Sequence, residues 1–332
     1  MSALPSQMKA LIADATGMAE ALLPSSQPVP QPGKTEVLIR VHAAGMNRAD
    51  ILQRKGQYDP PPGITSILGL ETAGEVVAVG ENVKRWKVGD RVMALLSGGG
   101  CAEYVAVPEG QCMPVPEGFS YAQAAVLPEG LATIWANVFE AGKLKSGETV
   151  LIHGGASGIG TLGIQMVRVF DAVPLVTVAS ERKAQACREL GAALAVLYPS
   201  QDFVIEVLTF TQNRGVDIVL DLGGGEYVPR NIQVLGPGGR HISIATQHGR
   251  MAKIDLRAIM LRGLTLTGSM MRSRPVEEKA RLLREVEANI LPHVAAGRIK
   301  PVIFQTFPLE KAGDAHKLME SGAHIGKIVL TV

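Results

Sequence analysis

Between the strand-like ETV and the helix-like TLGIQMVRVF stands LIHGGASGIG, residues 151–160. Gly155, Gly158 and Gly160 follow a GxxGxG spacing rather than the strict GxGxxG fingerprint, so spacing alone has little weight. The setting gives it meaning. Glycines permit a tight turn and close backbone approach, and a helix N-terminus offers free N–H groups and the positive end of a dipole. Strand, glycine turn, helix and second strand together make a cradle for the pyrophosphate of a dinucleotide. The second strand then bears on which dinucleotide. An acid at its end, about twenty residues on, would hold the ribose 2′-OH of NAD. Here the strand closes on VTVAS, and Glu181, Arg182 and Lys183 follow. A small hydroxyl and two cations suit a 2′-phosphate, which takes charge-assisted hydrogen bonds. Cations in a helix's first turn oppose its dipole, which hints at a bound anion; the alternative is two solvated side chains. Glu181 fits either nucleotide. The balance favours NADPH.

Two textures along the chain position these residues. From Met8 to about Ala122, EVLIRVHAAG, ETAGEVVAVG, DRVMALL and AEYVAVP are short β-rich runs broken by turn residues, which predicts an antiparallel barrel or sandwich. After Gln123 come TVLIHGG, VPLVTVAS, ALAVLY, VDIVLDLGG, HISIA and LTLTGS. These are continuous apolar strands alternating with helix-like stretches, as in a doubly wound parallel sheet covered on both faces. The first seven residues read as a loose extension. Asp171 stands where the first helix needs a left-handed stop; Ser180 and Gly191 bracket the next helix as N-cap and C-terminal stop. The helix PVEEKARLLREVEANIL, with Pro275 in its first turn, leads to VIFQTFPL and a last strand, GKIVLTV. That tail has the means to return to the first domain. The reading is therefore α/β, divided 1–123, 124–268 and 269–332.

The formal net charge is +2 and only 4% of residues are aromatic, a composition without a nucleic-acid footprint. The start lacks the pattern of a signal peptide, and no stretch is long and apolar enough to span a bilayer. Cys101, Cys112 and Cys187 form no disulfide framework. The expectation is a cytoplasmic protein with a small-molecule partner, no nucleic acid and no membrane.

The motifs AAGMNRADILQRKGQYDPPPG, ILGLETAGEVVAVG, WKVGDRVMALL, LPEGLATIW, VLIHGGASGIG and HIGKIVL resemble the medium-chain dehydrogenase/reductase superfamily, and within it the zinc-independent quinone oxidoreductases. The resemblance runs from Met8 almost to the end. It implies a GroES-like β-barrel catalytic domain with a Rossmann cofactor domain, and a homodimer. Zinc-bearing relatives carry a catalytic cysteine and a GHE motif; here those positions read Met46 and Gly69-Leu70-Glu71. A thioether and a leucine do not replace thiolate and imidazole as zinc ligands. A quinone is already a strong electrophile, so holding a hydride donor against it in a dry slot supplies most of the catalysis.

The same resemblance carries roles to individual residues. Asn47 would lie beside the nicotinamide and substrate, its amide able to donate to a reduced quinone oxygen; otherwise it bonds its own turn. Tyr58 would line the cleft as a positioning group whose pKa stays near 10, or pack under the proline-rich loop. Thr133 would open the helix facing the nicotinamide, or bond back within that helix. Gly155, Ser157, Gly158 and Ile159 fall on the pyrophosphate turn. Ser180, Lys183 and Tyr198 match contacts to the 2′-phosphate, with Arg182 helping or pointing to water. Ala245 and Met270 close strands at the carboxyl edge, where they would flank the nicotinamide. Glu71 and Asp50 read as supporting residues, Cys187 as packing, and His153 as a histidine satisfied by backbone. Arg272 reaches the cofactor only if its loop folds inward. The implied activity is NADPH-dependent quinone reduction without a metal. The alternatives are a zinc-free reductase of enone or enoyl C=C bonds, and a non-catalytic NADPH-binding or RNA-binding protein.

Overall fold

In the computed structural model, which describes residues 4–332, the chain begins with an antiparallel pair, β1 (Gln7–Leu11) and β2 (Pro24–Pro28). Residues 1–3 of the expected loose extension lie outside the described residues. Five strands follow: β3 (Glu36–Gly45), β4 (Glu71–Val79), β5 (Arg91–Leu95), β6 (Tyr104–Pro108) and β7 (Cys112–Pro114). β3 organises them. It pairs along its length with β4, while its first half, Glu36 to Arg40, also pairs with β6. Register shifts against β4 at Leu38/Ile39 and Val41/Ala43 are the kind of irregularity that bends a strand and lets a sheet curl. The alternating residues Val37, Ile39 and Val41 enter a core with Val76, Val92 and Val105. Leu38, on the opposite face, is buried in a second cluster with Met8, Val29 and Ile67, so the run EVLIRV is apolar on both faces at its centre.

The next six strands are β8 (Thr149–His153), β9 (Val173–Val178), β10 (Leu194–Leu197), β11 (Val216–Asp221), β12 (Leu235–Ser243) and β13 (Thr265–Gly268). All are parallel, in the order β10-β9-β8-β11-β12-β13. Helices cross between them at Gly158–Val169, Glu181–Leu190, Phe203–Phe210, Tyr227–Val234 and Leu256–Arg262. The sheet grows from β8 in one direction through β9 and in the other through β11. Such a reversal leaves a crevice outside the carboxyl ends of the strands, where ligands bind. All five residues of β8 are buried, which accounts for its unbroken apolar character. Asp171 takes the left-handed turn after the first crossing helix, with φ 56, and Gly191 does so after the second, with φ 108.

The last strands are β14 (Ile303–Pro308) and β15 (Lys327–Thr331), parallel to one another. β15 pairs antiparallel with the end of β3, Val329 opposite Gly45. The first sheet is therefore β14-β15-β3-β4-β5-β7, with β6 also on β3. Two units result: Met1–Glu129 with Met271–Ala295 and Pro301–Val332, and Gly130–Met270 with Ala296–Lys300. The divisions fall at 129/130 and 270/271, a few residues beyond the sequence-based 123/124 and 268/269. Residues 296–300 make a detour into the second unit. There the Gln165 side chain receives the Lys300 N–H at 2.8 Å and donates to its carbonyl at 2.9 Å. One side-chain amide mimics a strand partner, a device invisible in sequence.

Candidate functional site

In the second unit, the turn after β8 is built from positions where only glycine fits. A Cβ on Gly155 would lie 2.4 Å from the Val176 Cβ, and one on Gly160 would lie 2.4 Å from the carbonyl oxygens of Gly154 and Gly155. Gly154 itself has φ +69. Ser157 caps the following helix, its hydroxyl accepting the Gly160 N–H at 3.0 Å. That hydroxyl is thereby occupied, and the first-turn amides of Gly158 and Ile159 are the groups a helix leaves open to an anion. Replacing Ser157 by alanine is expected to cost about 1 kcal/mol and lower the melting temperature by about 2–4 °C. An unchanged thermal transition would show that the cap contributes nothing.

His153, at the end of β8, is not satisfied by backbone as the sequence suggested. Its Nδ1 lies 3.0 Å from Thr177 Oγ1 and its Nε2 lies 2.7 Å from Asn231 Oδ1. Burial lowers its pKa, so the ring beside the phosphate turn is neutral. Asn231 leads on to His241, which lies 3.2 Å from Asp221. Burial works to raise the Asp221 carboxyl, but the His241 contact and the Gly223 amide hold it below its ordinary value. This polar relay under the carboxyl edge was missed, because its members are scattered through β8, β9, β11, β12 and a helix.

Ser180 occupies the N-cap position of its helix, but its hydroxyl makes no capping bond. Glu181 pairs with Arg188 on the same helix. Burial lowers the Lys183 pKa and the neighbouring Arg182 charge lowers it further, a repulsion that an anion would relieve. Tyr198 follows β10, is 46% exposed, and donates its N–H to the Val178 carbonyl at 3.2 Å, which ties it to the end of β9. The Tyr198 backbone and the Ser180–Lys183 stretch thus share one end of the sheet. Ala245 and Met270 follow β12 and β13 at the same edge. Thr133 lies in the second turn of the helix Pro128–Ile134 rather than at its start. Its carbonyl accepts from the Asn137 amide at 2.8 Å, and Asn137 in turn accepts from Ser269 at 2.8 Å. Asn137, unremarked in the sequence, links the Thr133 helix to the end of β13. Cys187 is buried, which pushes its thiol up to about 12.

The first unit has its own buried polar cluster. Asn47 Nδ2 donates to Glu71 Oε1 at 3.0 Å, and its Oδ1 accepts from Lys327 at 2.7 Å. Lys327 also bonds Glu71 at 2.5 Å. Glu71 is 0% exposed and Lys327 is 4% exposed. The Asn47 amide is therefore held by an ion pair, with one N–H already committed to Glu71 where sequence reading had it donate to substrate. Asp50 accepts the amides of Asn47 at 2.7 Å and Gly69 at 3.0 Å. Burial lifts its carboxyl to about 6. Glu129 donates its backbone N–H to Glu71 Oε2 at 3.0 Å; burial, then Glu71, pushes its own carboxyl up to about 8. Tyr58 is partly buried, which raises its pKa rather than leaving it unshifted. The Arg272 guanidinium lies 5.2 Å from the centre of its ring. Within the first unit Arg272 donates to the carbonyls of Ser97 at 2.7 Å and Tyr58 at 3.2 Å, and to Gln53 at 2.6 Å. Lys327 and Glu129 were missed as parts of this cluster. The available signal was a lysine in the apolar run GKIVL and a glutamate in the largely apolar run AVLPEGLA, charges that need partners where such runs pack inside.

A doubly wound parallel sheet with this glycine turn defines a nucleotide-binding dehydrogenase fold. Residues 33–117 match the alcohol dehydrogenase GroES-like domain family, and residues 190–330 match the zinc-binding dehydrogenase family. Among curated relatives, the synaptic vesicle membrane protein VAT-1 homolog of Homo sapiens is 32% identical over 321 residues, covering 92% of this chain and 81% of that protein. Among solved structures, the Escherichia coli quinone oxidoreductase complexed with NADPH has a TM-score of 0.85 at 26% identity, covering 98% of this chain and 99% of that one. The CurK enoyl reductase has a TM-score of 0.83 at 28% identity, with coverage of 98% and 99%. The chain belongs to the medium-chain dehydrogenase/reductase superfamily, and it is an oxidoreductase of that family. Among the described residues no group of three or more His, Cys, Asp or Glu side chains is gathered to hold a metal, and no helix is long and apolar enough to cross a membrane.

Proposed function

We propose that this protein is an NADPH-dependent quinone reductase that works without a metal. The observation carrying the nucleotide choice is the end of β9: a Ser180 hydroxyl that makes no capping bond and two neighbouring cations, Arg182 and Lys183, whose charges repel, beside Glu181, which pairs with Arg188. A 2′-phosphate suits a hydroxyl and two cations gathered at one strand end better than a bare ribose does. The glycine turn suits a pyrophosphate because its glycines let the backbone fold tightly on itself, which leaves the first-turn amides of the following helix facing outward. Gly155, Gly158, Ile159 and the end-of-strand residues Ala245 and Met270 would hold the rest of the nucleotide, with Thr133 on its nicotinamide side. Bound NADPH supplies a hydride equivalent. Tyr58 keeps its proton across the neutral range and orients the acceptor, while the Glu71–Lys327 pair keeps the Asn47 amide in one orientation. Similarity to the quinone oxidoreductase complexed with NADPH supports the substrate class. A second copy of the chain pairing across the free edge of β13, and a cytoplasmic setting, belong to the same proposal.

Chelator-treated protein, assayed with NADPH and NADH against ortho- and para-quinones and an enone, tests it. Quinone-dependent oxidation of NADPH that survives the chelator is expected. The similarity to an enoyl reductase supports a second reading, reduction of an activated C=C bond, which enone turnover without quinone turnover would establish. Stabilisation by NADPH with no turnover of any acceptor would reject both.

A further inference from the structure

The first amides of the glycine turn are held by one residue of the neighbouring strand. Thr177 lies opposite His153 where β9 pairs with β8. Its carbonyl accepts the Gly155 N–H at 3.0 Å, and its hydroxyl oxygen accepts the Gly154 N–H at 3.4 Å. The peptides so held decide where the next helix starts. The Gly154 carbonyl accepts the Ser157 N–H at 2.9 Å. The Gly154 and Gly155 carbonyl oxygens lie so close to Gly160 that a Cβ there would come within 2.4 Å of them. A displaced Gly154 therefore moves the Gly158 and Ile159 amides with it.

The Thr177 hydroxyl has a direction, and that direction comes from another element. Asn231, on the helix Tyr227–Val234, places Oδ1 2.7 Å from His153 Nε2. An amide oxygen only accepts, so Nε2 carries the proton. The buried ring is neutral, so Nδ1, 3.0 Å from Thr177 Oγ1, has a lone pair and takes the hydroxyl proton. The lone pairs of the Thr177 oxygen are then left for Gly154. The rings of Phe203 and Tyr227 stand edge to face against the imidazole, each with its centre 5.0 Å away, and hold it in place. Thr177, His153 and Asn231 are at most 3% exposed, too deep to touch a nucleotide. All of these residues belong to the second unit.

We propose that Thr177 is a positioning residue for dinucleotide binding, aimed by Asn231 through the His153 ring, and that it sets the amides of the glycine turn for the pyrophosphate. This rests on the reading above that a dinucleotide lies on that turn. The effect passes through backbone amides, so it acts on the part that NADPH and NADH share. In that it differs from the residues after β9, which bear on the 2′-phosphate alone. A turn without the Thr177 hydroxyl keeps its glycines but loses the side-chain acceptor of the Gly154 N–H, and the helix start loses its anchor.

Fluorescence titration of the full protein with both nucleotides reads the binding. Thr177→Val keeps the shape of the side chain and removes the hydroxyl. It should raise the Kd of NADPH and of NADH alike by about three- to tenfold, the range of one lost hydrogen bond, with the amount of nucleotide bound at saturation unchanged. A merely structural loss lowers that amount and leaves Kd where it was. Thr177→Ser should bind within about twofold of wild type, since it keeps the hydroxyl. Asn231→Leu should show a similar rise in Kd, and the double variant should bind no worse than the weaker single, because both act on one hydroxyl. Nitrogen NMR of the histidine rings reads the tautomer: His153, its signal identified by its absence from His153→Gln, should carry its proton on Nε2. The Thr177 pair and the NMR decide the matter even if Asn231→Leu fails to fold. Wild-type affinity in Thr177→Val, a loss confined to NADPH, additive losses in the double variant, or a proton on Nδ1 overturns the assignment and leaves the dinucleotide reading intact. Wild-type protein that binds neither nucleotide overturns that reading, and the assignment with it.

Discussion

Lys327→Met should destabilise the folded protein by about 3–5 kcal/mol, the usual cost of stranding one member of a buried ion pair. Glu71 is fully buried and Lys327 nearly so, and the two meet at 2.5 Å. Removing the ammonium leaves a carboxylate in the interior facing, among the described residues, the Asn47 amide and the Glu129 N–H. The methionine fills similar volume, so the loss is electrostatic rather than steric. Glu71→Gln combined with Lys327→Met should recover much of the stability, since a neutral pair carries no stranded charge. Denaturant unfolding of the two singles and the double decides it. A single variant within 1 kcal/mol of wild type would mean that water or another cation already serves Glu71. The same lysine fixes the Asn47 amide, so a fall in kcat beyond the stability loss would report that orientation.

Lys183→Ala should weaken NADPH binding by about 10- to 100-fold and leave NADH binding within about twofold. A charge-assisted hydrogen bond is worth about 1.5–3 kcal/mol, and NADH has no 2′-phosphate to lose it. Ser180→Ala removes a neutral donor and should cost only a few-fold. Fluorescence titration with both nucleotides at low salt gives the answer. An equal loss for both would place Lys183 on the helix rather than on the ligand. Added salt should erode the NADPH preference of the wild-type protein, since exposed charge interactions are screened within about 10 Å at 0.1 M salt.

The two predictions differ in how far the sequence could anticipate them. Lys183 is local. Strand end, hydroxyl, helix start and cations all lie within residues 173–183, and each has its meaning from its neighbours. The glycine turn is similar, as are Asp171 and Gly191, because backbone sterics act over three or four residues. Lys327 is the opposite case. It lies 256 positions from Glu71, and they meet only because β15 pairs with β3 and β3 with β4. Arg272, whose place the sequence left conditional on its loop, is held by three hydrogen bonds to Ser97, Tyr58 and Gln53, residues far from it in the chain.

The sequence by itself therefore determined the parallel sheet, the glycine cradle and the hydroxyl-and-cation group after β9, since periodicity, turn chemistry and helix ends are short-range physics. Only the tertiary structure decided the Asn47 orientation, the place of Glu129 beside a neutralised Glu71, the His153–Asn231–His241 relay and the detour of residues 296–300. Each depends on which charged or polar groups share a buried space. A buried group must find its partner wherever the chain brings one, and sequence distance has no bearing on that choice.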